Sequence, residues 1–159
     1  MKKITFIGLG VMGFPMAGHL AKEGYNVTVY NRSDKKSKLW IKEYTGTYSN
    51  SLKEAVKGSD IVFSCVGNDS DLRSITLGTN KAFSAMKAGS VFVDHTTTSS
   101  DIAVELFEKA KEHNINFLDA PVSGGEVGAV KGELTVMIGG EKSVFDEIKT
   151  VIAAYAKNI

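Results

Sequence analysis

The run Ile4-Thr5-Phe6-Ile7 breaks directly into Gly8-Leu9-Gly10-Val11-Met12-Gly13, a GxGxxG turn, and this junction constrains the fold more than any other feature of the chain. An isolated GxGxxG says little, but here a β-type run precedes it and an amphipathic repeat follows it (Met12, Met16, Ala17, Leu20, Ala21). A second β-type run, Val27 to Tyr30, closes a βαβ unit of about 30 residues, the setting in which the motif holds a dinucleotide. The three glycines serve different physical ends, since Gly8 permits the tight turn, Gly10 lets backbone approach a pyrophosphate, and Gly13 lets helix and sheet pack closely. The first helical turn leaves N–H groups unpaired and carries a partial positive charge, both suited to phosphate. Pro15 is compatible with that turn because it lacks an N–H that would go unpaired there. The competing explanation is a glycine-rich turn that serves packing alone.

At 159 residues the chain suits one domain with a real core. Nineteen Lys and Arg against 18 Asp and Glu give a net charge of +1, which supplies no general field for nucleic acid or an anionic membrane, so any anion must be held locally. No apolar stretch approaches a membrane span, and Met1-Lys2-Lys3 leads straight into a strand instead of a signal-peptide core. The single cysteine, Cys65, lies in the apolar run Ile61 to Val66 and has no internal partner. A reducing, cytoplasmic location is therefore expected, with Cys65 a buried spectator. No His, Cys, Asp or Glu grouping has metal-ligand spacing, so no metal is expected.

Apolar β-rich runs recur at 4–7, 27–30, 61–66, 91–93, 115–118 and 134–138, with helical patterns or turns between most of them. Such alternation predicts an α/β fold, doubly wound, with a mostly parallel sheet and helices on both faces. After Asp94, the residues Ile102, Ala103, Leu106, Phe107 and Ala110 share one helical face; Val144, Phe145, Ile148, Val151, Ile152 and Tyr155 form the stripe of a last helix, read as Lys142 to Ala156. Between them and the first unit lie a polar helix over 34–44, a short strand at Thr47-Tyr48, and a helix over 50–56 capped by Ser49 or Asn50. Gly67-Asn68-Asp69-Ser70-Asp71 reads as a loop at the carboxyl end of a strand, the edge where open α/β sheets bind ligands.

Just past the second strand, where an NAD-binding unit places Asp or Glu on the ribose 2′-OH, this chain has Asn31-Arg32-Ser33. A carboxylate there repels a 2′-phosphate, whereas Arg32 can grip one with a forked contact. Asn31 and Ser33 can add neutral donors, and Lys35 or Lys36 can add charge. NADP is thereby favoured over NAD; the alternative is an ordinary turn with Ser33 or Asp34 capping the next helix. Further on, Asp119-Ala120-Pro121-Val122-Ser123-Gly124-Gly125 follows a strand, and Gly124-Gly125 strip side chains from a loop beside the Ser123 hydroxyl. Exposed N–H groups of that kind suit a carboxylate or phosphate, although Ser-Gly-Gly is also common in tight turns.

Three segments in order, Gly8 to Gly13, then Asp94-His95-Thr96-Thr97, then Asp119 to Gly125 with Gly128 and Gly132, resemble the β-hydroxyacid dehydrogenases, the group containing 3-hydroxyisobutyrate dehydrogenase, tartronate semialdehyde reductase and 6-phosphogluconate dehydrogenase. The resemblance spans the chain and implies one Rossmann-type NAD(P)-binding domain over 1–159. It implies that Thr97 lies near the nicotinamide, that Cys65, Val66, Gly67 and Asn68 contact the cofactor, and that Ser123, Gly124 and Gly125 receive a short hydroxyacid or its semialdehyde. Ser100 stands where the family usually has proline, which leaves Ser99 and Ser100 as equal candidates to cap the following helix. The family's catalytic lysine and its helical substrate and dimerisation domain follow this portion. The resemblance thus places the lysine after Ile159; Lys157 does not match it, and no catalytic residue is expected within 1–159. An amino-terminal portion, inactive alone, of an enzyme that is a homo-oligomer is therefore implied. Imine reductases and a non-catalytic NADPH-binding module are the rival readings.

If a second domain covers the last helix, Ile152 and Tyr155 are the residues expected to be left exposed in this chain. His19 and His113 are expected at the surface. His95, after Asp94 at a carboxyl strand end, is the histidine with most claim to a role. Trp40 is expected to cover apolar surface beneath the 34–44 helix instead of stacking on adenine.

Overall fold

The computed structural model describes all 159 residues. Six strands, Lys3–Ile7 (β1), Asn26–Tyr30 (β2), Thr47–Tyr48 (β3), Ile61–Ser64 (β4), Val91–Asp94 (β5) and Asn116–Asp119 (β6), form a wholly parallel sheet in the order β3-β2-β1-β4-β5-β6. Connections are made by helices Gly13–Lys22 (α1), Asp34–Glu43 (α2), Leu52–Val56 (α3), Asp69–Thr76 (α4), Ala82–Ala85 (α5) and Ser100–Glu112 (α6). The strand order reverses between β1 and β4, and such a switch point opens a crevice at the carboxyl ends of the strands.

Alternation along the strands builds a core on each side of the sheet. Ile4, Phe6, Val29, Phe63, Val93 and Leu118 point to one layer, where Met16 and Leu20 of α1 and Trp40 of α2 cover them. Ile7, Val62, Phe92 and Phe117 point to the other, under Leu52, Phe83, Ile102 and Leu106 of α3, α5 and α6. Trp40 is fully buried, and its Nε1 donates to the Phe14 carbonyl at 3.2 Å, so it covers apolar surface as expected. No helix is long and apolar enough to cross a membrane.

Beyond β6 the chain departs from the simple alternation. Val122–Ser123 (β7), Leu134–Val136 (β8) and Ala156–Asn158 (β9) make a separate three-stranded sheet, β7 antiparallel and β9 parallel to β8, with helices Gly125–Lys131 (α7) and Lys142–Ile152 (α8) between them. The last helix therefore ends at Ile152 instead of Ala156: the chain turns through Ala153 to Tyr155, and β9 gains backbone pairing with β8 that a longer helix would forgo. Ile152 and Tyr155 are both completely buried within the chain, in the layer that holds Phe63 and Leu134. The expectation that they lie exposed is overturned.

Smaller corrections follow from local bonding. Helix α3 is capped by Ser51, whose Oγ accepts from Glu54 N at 3.3 Å, and not by Ser49 or Asn50; Ser49 is engaged with Ser51 instead. The run 134–138 pairs as a strand only to Val136, because Met137 N turns to the Pro121 carbonyl and Gly139 bridges to Asp119. Of the two candidate caps of α6, Ser99 takes the position and accepts from Ile102 N at 3.3 Å.

Candidate functional site

A cleft of about 740 Å³ opens at the carboxyl ends of β1, β2 and β4, where the strand order reverses. Its floor is the glycine turn. Gly8 donates its N–H to the Tyr30 carbonyl at 2.9 Å and adopts a φ of +94°, a conformation that side chains with a Cβ rarely take. A Cβ on Gly8 would overlap the Cys65 carbonyl, and one on Gly13 would overlap the carbonyl of Gly8, so helix, turn and β4 meet at backbone contact. Around Gly10 no atom lies within 4 Å of an added Cβ, which leaves that stretch of backbone facing open space.

Every residue from Gly8 to Gly13 lines the cleft, as do Asn31, Arg32 and Ser33 after β2 and Cys65, Val66 and Gly67 after β4. Asn31 is engaged in holding the turn: its Oδ1 accepts from Leu9 N at 2.9 Å and its Nδ2 donates to the Ser33 carbonyl at 3.0 Å. Ser33 occupies the cap position of α2 without a side-chain hydrogen bond. Of the two auxiliary lysines considered, Lys36 lines the cleft and Lys35 does not.

Other expected residues stand apart. Asn68 is absent from the lining because the chain re-enters a helix at once: its Oδ1 accepts from Asp71 N at 2.9 Å and caps α4. Gly67 to Asp71 is thus a helix start instead of an extended loop. Thr97 is exposed and also lies outside the lining, as do Ser123, Gly124 and Gly125 at the β7–α7 junction. Ile159, after which the catalytic lysine is expected, follows β9 of the small sheet; it is 47% exposed and takes no part in the cleft wall. Sequence reading missed Ile7, Tyr30, Leu52, Ser74, Ile75 and Lys81 in that wall and had Asp71 only as part of the loop at the ligand-binding edge. The first two are the ends of recognised strands, so the carboxyl-edge rule could have found them; Leu52 lies on the helix read over 50–56, and Ser74, Ile75 and Lys81 needed α4 and α5 to be placed.

Behind the cleft, a buried polar cluster ties β4, β5 and the turn after β4 together. Asp94 Oδ1 accepts from Ser64 Oγ and Thr96 Oγ1, each at 2.7 Å, and Thr96 Oγ1 in turn accepts from Val66 N at 3.0 Å. Asp94 Oδ2 has no partner. Burial, reinforced by the neighbouring Asp119 charge, pushes Asp94 up to about 6 despite these hydrogen bonds. Burial, and then the Asp94 charge, push the Cys65 thiol up to about 12, so it stays protonated near neutrality and is a poor nucleophile.

His95 is sealed in the core. Its Nδ1 donates to the Ala120 carbonyl at 2.6 Å, its Nε2 accepts from the Tyr155 hydroxyl at 2.7 Å, and its ring stacks on Phe63 at 5.6 Å. Burial drives it down to about 4, so it is a neutral strut joining the two sheets and not a cleft acid or base. His19 is likewise not free at the surface: its half-buried ring donates from Nε2 toward the carbonyls of Ala129 and Val130, both at 3.0 Å, and holds the end of α7. His113 is exposed, as expected.

A parallel sheet in this order, with a glycine turn at its switch point and a cleft above it, defines a Rossmann-type dinucleotide-binding domain. Residues 3–159 match the family model described as the NAD binding domain of 6-phosphogluconate dehydrogenase, and the chain belongs to that family. It is 54% identical over 157 residues to an uncharacterised oxidoreductase of Shewanella frigidimarina, covering 99% of this chain and 54% of that one. It superimposes on the Mycobacterium tuberculosis 3-hydroxyisobutyrate dehydrogenase crystallised with L-serine with a TM-score of 0.93 at 31% identity, covering 100% of this chain and 53% of that one. An imine reductase from Myxococcus stipitatus in complex with NADP+ shares the fold, with a TM-score of 0.86 at 23% identity over 97% of this chain and 52% of that one. The chain thus spans about half the length of the relatives it matches. Its relatives are oxidoreductases, and the family is one of enzymes that use NAD(P).

Proposed function

We propose that these residues form the NADP-binding domain of a dehydrogenase acting on a short hydroxyacid or its semialdehyde. The observation that carries the cofactor reading is the cleft itself: the Gly8–Gly13 turn forms its floor, and Arg32 and Lys36 stand on the wall after β2, where no carboxylate follows Tyr30. The residues fit a dinucleotide, since the turn offers backbone at a helix start to a pyrophosphate and Arg32 offers a forked cation to a 2′-phosphate. When bound, the nicotinamide supplies the hydride chemistry, and the protein supplies orientation. In this reading Cys65, Val66 and Gly67 line the cofactor's path along the sheet edge, Thr97 and Asn68 approach it from the surface, and Ser123 with the Gly124 and Gly125 N–H groups holds the substrate carboxylate. A dehydrogenase is preferred to an imine reductase because relatives above 30% identity with a named activity include a 3-hydroxyisobutyrate dehydrogenase and a 2-(hydroxymethyl)glutarate dehydrogenase, whereas the imine reductase likeness is one of fold.

Calorimetric titration of the purified chain with NADPH and NADH tests the cofactor assignment. Arg32→Asp is expected to weaken NADPH far more than NADH; equal losses, or a parent preference for NADH, overturn it. The same 159 residues are expected to bind NADP(H) without reducing a small semialdehyde, because in this reading the proton-transferring lysine lies beyond Ile159. A missing general acid costs about 10²- to 10⁴-fold before positioning is counted. Steady-state reduction of methylmalonate semialdehyde by this chain would refute that division of labour.

A further inference from the structure

The geometry points to Asp71 as a specificity-determining residue that weighs against the 2′-phosphate and so sets how far the cleft discriminates NADP from NAD. This rests on the reading that Arg32 faces the ribose end of a bound dinucleotide. Asp71 and Arg32 line the same cleft from opposite walls, one on the first turn of α4 and the other after β2, and Arg32 Nη1 stands 3.7 Å from Asp71 Oδ1. They are not equivalent partners. The Arg32 side chain is 91% exposed and that of Asp71 35%, so the carboxylate is the anchored group and the guanidinium the one that reaches across.

Two features place the carboxylate. The Asp71 N–H is fixed by the Asn68 cap at 2.9 Å, and Gly67 leaves room for the side chain, since a Cβ there would come within 2.5 Å of Asp71 Oδ2. One oxygen therefore lies against the turn after β4 while the other faces Arg32. Two further cations, Lys36 and Lys81, line the cleft, and Asp71 is the sole acidic side chain that does.

A dianionic 2′-phosphate drawn to Arg32 must displace an existing partner and settle near a fixed negative charge. A 2′-hydroxyl incurs neither cost, and it can donate a hydrogen bond to the same carboxylate. Arg32 alone would make the site strongly selective; Arg32 opposed by Asp71 tempers the preference and keeps NAD(H) competitive. An exposed pair of this kind is a weak interaction on its own, so the effect on the phosphate comes mainly from proximity of like charges and is sensitive to salt.

The test is Asp71→Asn, which keeps the shape and the backbone cap while removing the charge. Titrations with NADPH and NADH at low ionic strength should show NADPH bound about three- to tenfold more tightly than by the parent, with NADH unchanged or up to about twofold weaker. The gain should shrink in about 0.5 M salt. Asp71→Glu, which restores the charge, should keep the ratio near the parent's. An Asp71→Asn ratio within twofold of the parent, or a gain undiminished by salt, overturns the inference. If that happens while Arg32→Asp still discriminates against NADPH, the cofactor reading stands without it; if Arg32→Asp loses both cofactors equally, that reading falls too.

Discussion

The unit from Lys3 to Tyr30 and the segment from Val122 to Asn158 are held in place by different means. In the first, strand, turn and helix are consecutive, and the contacts that position them are backbone to backbone: Gly8 N to Tyr30 O, and Gly13 packed on the Gly8 carbonyl. In the second, strands of two or three residues are held by side chains from far away in sequence: Tyr155 on His95, 60 residues apart, and His19 on Ala129, 110 apart. Local geometry therefore specifies the cofactor turn, whereas the sheet carrying Ser123 is positioned by residues distant in sequence, through a shared apolar core and a few side-chain hydrogen bonds.

The sharpest way to break that contrast is at Gly8. Gly8→Val combines an unfavourable positive φ with overlap against the Cys65 carbonyl, and is expected to cost about 4 kcal/mol in urea unfolding and to abolish dinucleotide binding. A variant within about 1 kcal/mol of the parent would show that the turn is not locally determined.

A second comparison uses pH, because the adjacent buried groups Asp94 and His95 respond with opposite signs. Asp94 is raised to about 6, so between its unfolded value and 6 the folded state holds the extra proton and stability falls as pH rises through 6. His95 is lowered to about 4, so between that value and about 6.5 the unfolded state holds the extra proton and stability falls as pH drops through the window. From pH 7 to pH 4 the parent should therefore gain on the order of 3 kcal/mol relative to Asp94→Asn, and lose a comparable amount relative to His95→Gln. Parallel pH curves for parent and variants would show that neither group titrates as its burial dictates.

The smallest expected effect isolates the long-range contact itself. Tyr155→Phe removes the donor to His95 Nε2 and leaves a buried acceptor unpaired, at a cost of about 2 kcal/mol. Hydrogen exchange should localise the loss to Leu134–Val136 and Ala156–Asn158, with Lys3–Ile7 retaining its protection. A loss spread evenly over both sheets would mean that the small sheet and the main sheet unfold as one unit.

Legibility in the sequence followed the range of the interactions. The parallel strands were readable because burial on both faces makes them short apolar runs, and their edges were misjudged by only a residue or two. The helix over 34–43, the strand at Thr47-Tyr48 and the helix over 100–112 carried their own periodicity or caps. Helices α4 and α5 did not: the run from Gly67 to Gly89 is polar and broken, and only the Asn68 cap and the packing of Leu72 and Phe83 reveal it. That gap concealed Ser74, Ile75 and Lys81 in the cleft wall.

Ile152 and Tyr155 show the other limit. Their apolar spacing correctly marked a buried face, but the partner surface was sought outside the chain, and His95, Phe63 and Leu134 provide it from within. By itself the sequence determined the βαβ unit, the glycine turn and the charge after the second strand, since each depends on residues close to one another along the chain. Tertiary structure alone decided that Ala156–Asn158 is a strand, that His95 is a strut, and that Arg32 faces Asp71, because those outcomes depend on which distant groups arrive in hydrogen-bonding or Coulombic range.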